Sequence, residues 1–571
     1  MKAQILKILT QVLPLLRPTI LRPGERYSWS SLRADAVAGV TVAVIQIPQS
    51  MALALIAGLP AVYGLYASLF GFLASLWGSS RQLSTGPVAI VSFLTLTSLV
   101  PLATPGTPEY IQLAATLAFL VGIIYLLMGF LRLGFVLQLI PHTVIFGFSS
   151  AAAVVIIITQ IPNLLGISVP THELVFENVW SIVTLLPTLS VLTLLVGATA
   201  VGVLAFTRGL PKIFPAALVV LVLGVIADYT FDLGGKGVAL VREVPQSLPA
   251  FTWPWMAGVP ILALMPKAAI IALVGFVGTH ASAKITARKT REHLDTDQEL
   301  VGQGLANFVT AFFQGFPLSG SFTRTALNIE AGARTAIASV VTAIATVIAL
   351  LFFAPLFYHL PRSILAAIVI IAAIPLIDIR RLREIYHISA MDGFVAFLTF
   401  TLVFVLKPDD AILIGVIVAL MFFIRQTVWG EHVVEVGIER NLNILRTIVP
   451  GEIVDTFPGI AMIRISVSVY YANAAHIVEQ IDSIIARHVL RESAPVKKLV
   501  LNVSGMNFID VTGIEVLEEY FEDLARRGIN IYLIYTRRSV REAFERTPGF
   551  PPYKVLQNIA EMKNTLLLAH K

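Results

Sequence analysis

The sequence has no cysteine, which excludes a disulfide framework, thiolate metal ligands and a cysteine nucleophile. It is also short of charge. Asp, Glu, Lys and Arg make up 13% of its 571 residues, about half the share usual in soluble proteins. So few charges cannot cover the surface of a water-soluble globule of this size, and a soluble enzyme is excluded. No Gly-x-x-x-x-Gly-Lys-Ser/Thr stretch is present, so no P-loop engine is built in. The surplus of base over acid, 41 against 35 residues, is too small to suggest a nucleic-acid partner.

What the chain has is apolar surface: 56% hydrophobic residues and a mean hydropathy of +0.82. The charge is unevenly spread. Residues 440–571 carry 16 Lys and Arg and 14 Asp and Glu, about 23% of that stretch, against about 10% before it. This predicts an N-terminal arm over 1–34, a membrane domain over 35–430 and a soluble domain over 431–571. The arm, with Lys2, Lys7, Arg17, Arg22 and Arg26 and no cleavage site after an apolar core, is expected to be cytoplasmic rather than a secretory signal.

Fourteen apolar stretches follow, near 36–49, 54–77, 87–100, 111–131, 143–161, 182–206, 213–230, 258–283, 298–315, 322–331, 335–354, 363–377, 391–406 and 410–428. A full helical crossing takes ~20 residues, so the third and tenth are short. Every second connection is basic: Arg81; Arg132; Arg208 and Lys212; Lys284, Arg288, Lys289 and Arg291; Arg334; Arg380, Arg381 and Arg383; Arg425. The opposite connections hold acids such as Glu173, Glu177, Asp228, Asp409 and Asp410. The alternation orients both ends of the membrane part, and the C-terminal domain, to the cytoplasm.

Fourteen spans divide as seven plus seven, and an odd-numbered repeat reverses orientation when copied. The expected fold is therefore an α-helical membrane domain built as an inverted repeat. Its two short segments, seven apart, begin at Ser84-Thr85-Gly86-Pro87-Val88-Ala89 and Leu318-Ser319-Gly320-Ser321-Phe322-Thr323, and paired interrupted segments point to a midplane site. Pro87 suits a first helical turn, and Ser84, Thr85, Ser319 and Ser321 suit caps. Two facing N-termini, each equivalent to roughly half a positive charge, form an anion site. Arg324 would add a full charge, and an intramembrane arginine is a functional candidate by default.

These residues resemble the SulP family of anion transporters, which includes sulfate permeases, bicarbonate transporters, pendrin and prestin. The resemblance rests on Ile47-Pro48-Gln49-Ser50-Met51-Ala52, on 58–68, on 78–89, and on Gly320 to Asn328 followed by Ala331-Gly332-Ala333-Arg334-Thr335. It implies a core domain moving against a gate domain and an anion held between the third and tenth segments. The site it implies is lined by Gln49 and Leu53, by Pro87, Val88 and Ala89, and by Phe322, Thr323 and Arg324, with Gln46 and Ser321 supporting. It also implies a homodimer. No catalytic residue, metal ligand or cofactor is expected, and a coupling proton or sodium ion is left open. Many members carry an acid in the eighth segment; here Gly278 stands at that place and no carboxylate lies between Trp255 and Lys284. His280, which titrates near neutrality, is the candidate substitute for coupling.

In the C-terminal part, strands are expected at 460–470, 499–505 and 529–534, helices at 475–488 and up to Arg527, with Gly528 as a helix stop. Alternating strands and helices give a small α/β domain, and the stretch resembles the STAS domain. In the related anti-sigma-factor antagonists the Asp-Ser-Ser/Thr-Gly loop carries a phosphoserine; here it reads Asp510-Val511-Thr512-Gly513, and Thr512 is expected as a helix N-cap. A cytoplasmic protein is a conceivable partner for this domain. The expectation is a secondary transporter of a small anion in the cell (plasma or inner) membrane, sulfate first. Bicarbonate, chloride, a dicarboxylate, an uncoupled channel and a regulatory scaffold remain open.

Overall fold

A computed structural model describes residues 18, 27–139, 141–170, 174–209, 214–241, 246–255, 260–439, 444–448 and 454–566. Most of the predicted N-terminal arm, Glu173 and Lys212 lie outside the described residues. The chain divides into two compact units, residues 1–419 and 420–571.

The first unit is helical, and its elements follow the fourteen-segment order. Segment one is Trp29–Ile56, segment two Val62–Leu69 with Phe72–Trp77, and segment three the two-residue strand β1 (Thr85–Gly86) with the helix Ala89–Leu99. Pro108–Phe130, His142–Leu165, Val191–Phe206 and Ala216–Phe231 are segments four to seven. The second repeat begins with Ile261–Thr290 and Thr296–Ala311, and its third member is β2 (Ser319–Gly320) with the helix Phe322–Glu330. Ile337–Tyr358, Arg362–Ala373, Ala390–Val405 and Pro408–Trp429 complete it. Among the described residues seven helices are long and apolar enough to cross a membrane unaided. The others are the shortened or broken members, among them the two half-helices of segments three and ten.

The contacts repeat as an inverted copy requires. Segment one packs on eleven as eight packs on four, and five packs on thirteen as twelve packs on six. Segments three and ten, the copies of one another, meet through β1 and β2, paired antiparallel with Thr85 opposite Gly320 and Gly86 opposite Ser319.

The helices depart from the sequence expectation in three places. The first helix runs on from Trp29, inside the predicted arm, through Pro48 to Ile56, because residues 50–53 keep their helical register and the chain breaks only at Gly58, whose φ is +76°. The stretch expected as a span over 182–206 holds two helices bent by 120°, Val175–Thr188 and Val191–Phe206. Pro187 and a serine N-cap at 190 break it. A further helix, Ile379–Ile388, follows segment twelve. Its alternation of Arg380, Arg381 and Arg383 with Ile379, Leu382 and Tyr386 is amphipathic, so it reads as a loop to any search for apolar runs.

The second unit carries an α/β domain. Its sheet runs β4 (Ile444–Thr447), β3 (Val433–Glu439), β6 (Ile460–Ile465), β7 (Lys498–Asn502), β8 (Asn530–Ile534), β9 (Lys554–Leu556), and β5 (Val454–Asp455) pairs with β3. Strands β6 to β9 are parallel, which needs helical crossovers. Ala474–Glu492, Val511–Arg526 and Arg538–Glu545 cover one face, burying Ile481, Phe521 and Phe544 against Ile463 and Leu501. Ile559–Leu566 packs on the other against Met462 and Tyr532. Gly528 ends its helix with φ +74°. The expected cap at Thr512 is corrected: the N-cap of Val511–Arg526 is Asp510, whose Oδ1 accepts from the Gly513 amide at 2.7 Å. The helix starts before Thr512, so Thr512 already has helical backbone and is an exposed residue of the first turn.

Candidate functional site

Between the paired breaks lies a cavity of about 260 Å³. Segment one supplies Gln49, Ala52, Leu53 and Ile56, segment three supplies 88–91, and segment ten supplies 319–323. Segment eight adds Val274, Gly275 and Gly278, and segment twelve adds Ile368, Val369 and Ala372. No described lining residue is charged.

The two helix starts differ in a way that matters. Ser321 caps Phe322–Glu330 by accepting from the Arg324 amide at 3.4 Å. The N-cap of Ala89–Leu99 is Val88, which offers no side-chain acceptor. A helix leaves its first amides without intrahelical partners, and valine is among the poorest caps. The amides at 89–91 are thus left for whatever occupies the cavity their residues line. Pro87 was expected in the first turn but stands one residue before the cap, because its own carbonyl is used elsewhere.

That use is Arg324. Its side chain is 1% exposed and does not line the cavity; it lies behind the wall, not in the site as the sequence suggested. Nη1 donates to the Pro87 carbonyl at 3.0 Å and to Gln49 Oε1 at 3.2 Å, and Nε donates to Ser84 Oγ at 3.4 Å. Nη2 meets no acceptor among the described residues. The arginine therefore ties segments one, three and ten together and leaves its charge directly behind the two helix ends. Gly86 makes the room: a Cβ there would lie 3.1 Å from Arg324 Nη2 and 3.7 Å from Gln46 Nε2. Gln46, 2% exposed, sits with Arg324 in this layer.

Hydrogen bonds lock the crossing itself. The Ser321 amide donates to the Ser84 carbonyl at 2.8 Å, and the Ser84 amide to Thr325 Oγ1 at 3.0 Å. Gly320 N donates to Thr279 Oγ1 at 2.8 Å, and Ser319 Oγ to the Gly275 carbonyl at 2.7 Å. Ser319, expected as a cap, instead ties segment ten to segment eight together with Thr279, a buried residue that sequence reasoning did not single out. The apolar contribution of segment twelve carries no sequence signal either.

Gly278 and His280 separate. Gly278 is exposed on the cavity wall, and a Cβ there would meet nothing within 4 Å. The place where an acid was expected therefore faces the cavity and has room for one. His280 does not line the cavity. Two residues on, about 200° around the helix, it lies beside Phe276 with ring centroids 6.2 Å apart. Its Nδ1 has no partner among the described residues. Helical geometry keeps the two positions from substituting for each other.

The family description "Sulfate permease family" matches residues 32–399, and the STAS domain matches 453–561. The chain belongs to the sulfate permease family. Sulfate transporter 4.1, chloroplastic, of Arabidopsis thaliana is 32% identical over 536 residues, 91% of this chain and 78% of its own length. A probable sulfate transporter of Mycobacterium tuberculosis is 30% identical over 521 residues, 91% and 92% of the two chains. Murine Solute Carrier 26 family member A9, an anion transporter solved in the inward-facing state, has the same fold, with a TM-score of 0.87 at 22% identity over 100% of this chain and 95% of its own. The transmembrane domain of a cyanobacterium bicarbonate transporter matches at a TM-score of 0.60 and 26% identity, over 69% of this chain and 98% of its own. Sulfate permease membership places the chain in a family of membrane transport proteins. The membrane part and the STAS domain are thus both accounted for as members of known families.

Proposed function

We propose that this protein is a secondary transporter of small anions, sulfate first, working by alternating access with no ATP. One observation carries the reading: two half-helix starts, one of them uncapped by any side chain, face a cavity without a single described acid. An oxyanion there meets backbone amides, the Thr323 hydroxyl and the Gln49 amide, backed by the Arg324 charge. Helix ends and fixed donors stabilise an anion strongly in a low-dielectric setting. Segment ten contributes a capped start, so the uncapped amides of segment three carry more of the ligand's charge.

The route to the site is one-sided. A second cavity of about 240 Å³ shares Gln49, Ile368 and Ala372 with the first and continues to Thr207 and Phe214. Those residues flank the connection that the charge alternation assigns to the cytoplasm, so the conformation is open inward. The same alternation supports a cell-membrane protein with both ends cytoplasmic, and the family resemblance supports a homodimer. Sulfate leads because the named relatives are sulfate transporters; bicarbonate, chloride and dicarboxylates compete for the same donors.

The test is uptake of labelled sulfate, bicarbonate, chloride and succinate into proteoliposomes at two pH values, with and without sodium. Saturable accumulation of one of them supports the reading. No flux of any would sink it. A conductive leak would favour an uncoupled channel, which Gly278 makes the natural second reading, since no acid faces the ligand to couple it.

A further inference from the structure

A larger cavity, of about 890 Å³, opens on the opposite side of segment one from the inward route. Leu55 and Gly58 line it, whereas Leu53 and Ile56 line the substrate cavity, so the last turn of segment one and the residues after it stand between the two. Its remaining walls come from the connections after segments one, three and seven, from the ends of segments five and eleven, and from the start of segment twelve. These are the connections that the charge alternation places outside.

Among its described lining residues one is charged: Arg362, the first residue of segment twelve. The outer connections are otherwise poor in base, so this arginine runs against the pattern that orients the chain. It is exposed yet held in position. Its amide donates to the Ala239 carbonyl at 2.9 Å and its Nε to the Leu240 carbonyl at 3.2 Å, and Leu240 and Pro361 form an antiparallel bridge. Tyr63, Asn163 and Tyr358 add side-chain donors to the same cavity.

We propose that this vestibule is a second, outer anion site, in which Arg362 collects small inorganic anions ahead of the closed turn of segment one. The site rests on the transport reading for its purpose, but its chemistry is independent of it. A single charge in a wide cleft with low-dielectric walls raises the local anion concentration without binding tightly. Segment twelve runs from Arg362 to the Ile368, Val369 and Ala372 wall of the substrate cavity, so one helix reports on both compartments.

The absence of cysteine makes the test clean. Tyr358→Cys, and separately Asn163→Cys, place a lone thiol in the vestibule of the detergent-purified full chain. Its rates of modification by the anionic sulfonatoethyl and cationic trimethylammonioethyl methanethiosulfonates are compared after correction for a free thiol. The anionic reagent is expected to be favoured on the order of 10-fold, added sodium sulfate should slow it, and Arg362→Gln should erase the preference while Arg362→Lys retains it. A ratio near one at both positions, or a preference that Arg362→Gln leaves intact, overturns the proposal. Repeating the measurement in Gln49→Ala separates the two readings: loss of uptake with the preference intact strikes the substrate cavity alone. In proteoliposomes Arg362→Gln should raise the KM for sulfate presented at the vestibule side and leave kcat unchanged.

Discussion

Arg324 Nη1 donates to Gln49 Oε1 at 3.2 Å, and this contact sets which end of the glutamine faces the cavity. A guanidinium has no acceptor, so it takes the carbonyl end and turns the amide NH₂ of Gln49 to the ligand. On the proposed reading, Arg324 would act on the anion through that orientation and through its charge.

Gln49→Ala therefore removes a ligand donor and leaves Arg324 with one acceptor fewer. A hydrogen bond to a charged group contributes about 1.5–3 kcal/mol, so loss of the Gln49 donor should raise the apparent KM for sulfate by about 10-fold or more, and loss of its bond to Arg324 should lower the melting temperature. Gln49→Glu should be worse for transport but not for stability, because it satisfies Arg324 while placing a negative charge on the wall. Uptake kinetics read beside thermal unfolding separate these two effects.

Gly278 faces open space in the cavity, so Gly278→Asp should fold. Its carboxylate would repel the anion when ionised and donate to it when protonated. Sulfate uptake by this variant should become steeply dependent on acid pH, compared at pH 5.5 and 7.5, while Gly278→Ala should behave like the parent. Equal pH profiles in all three would show that position 278 does not face the ligand.

In the STAS domain Asp510 receives the Gly513 amide at 2.7 Å on Oδ1 and the Tyr471 amide at 3.0 Å on Oδ2. Asp510→Ala should destabilise the domain by about 1–2 kcal/mol. Thr512→Ala, at an exposed first-turn position, should change it by under about 0.5 kcal/mol. Hydrogen exchange over the helix Val511–Arg526 is the measurement.

Glu435 supplies the pH dependence of that domain. Burial alone would raise its carboxyl, but hydrogen bonds from His488 and Arg491 outweigh this and hold it below the usual carboxylate range. Arg491 Nη1 and Nη2 donate to it at 2.9 and 2.5 Å, and His488 Nδ1 lies 2.7 Å away. A depressed folded pKa gives stability that is present above the unfolded value, about 4.3 for Glu, and lost as pH falls through the folded one. The unfolding temperature of the C-terminal unit should drop below about pH 4.3, and Glu435→Gln should flatten that part of the curve.

Much of this architecture is legible in sequence because lipid imposes one-dimensional rules. Apolar runs and alternating basic connections carry the fourteen-segment order, and the two Ser/Gly/Pro breaks mark the crossing of β1 and β2. What escapes is decided by three-dimensional neighbours. Arg324 looks like a ligand in sequence, and only the packing of Pro87, Gln49 and Ser84 around it shows why the charge stands behind the wall. His280 is two residues from Gly278 in the chain and on another face of the helix. Ile379–Ile388 is missed because its bases interrupt its apolar positions, and Ile368 and Val369 are apolar residues among many.

The pairing of Thr85 with Gly320 also bears on energetics. Backbone bonds weld the two helix starts into one piece, so on the proposed reading moving them past segment twelve changes what the anion can reach and which apolar wall it meets, while its polar donors travel with it. The polar part of the binding energy would then be the same whichever side is open, and only the apolar contacts of segment twelve would differ between the two halves of the cycle. Titration of variants cross-linked in each state should return dissociation constants within about 10-fold of each other, a difference of about 1.4 kcal/mol. A carrier built this way equilibrates its anion with the prevailing electrochemical gradient, and concentrates it only as far as a co-transported charge or a membrane potential permits.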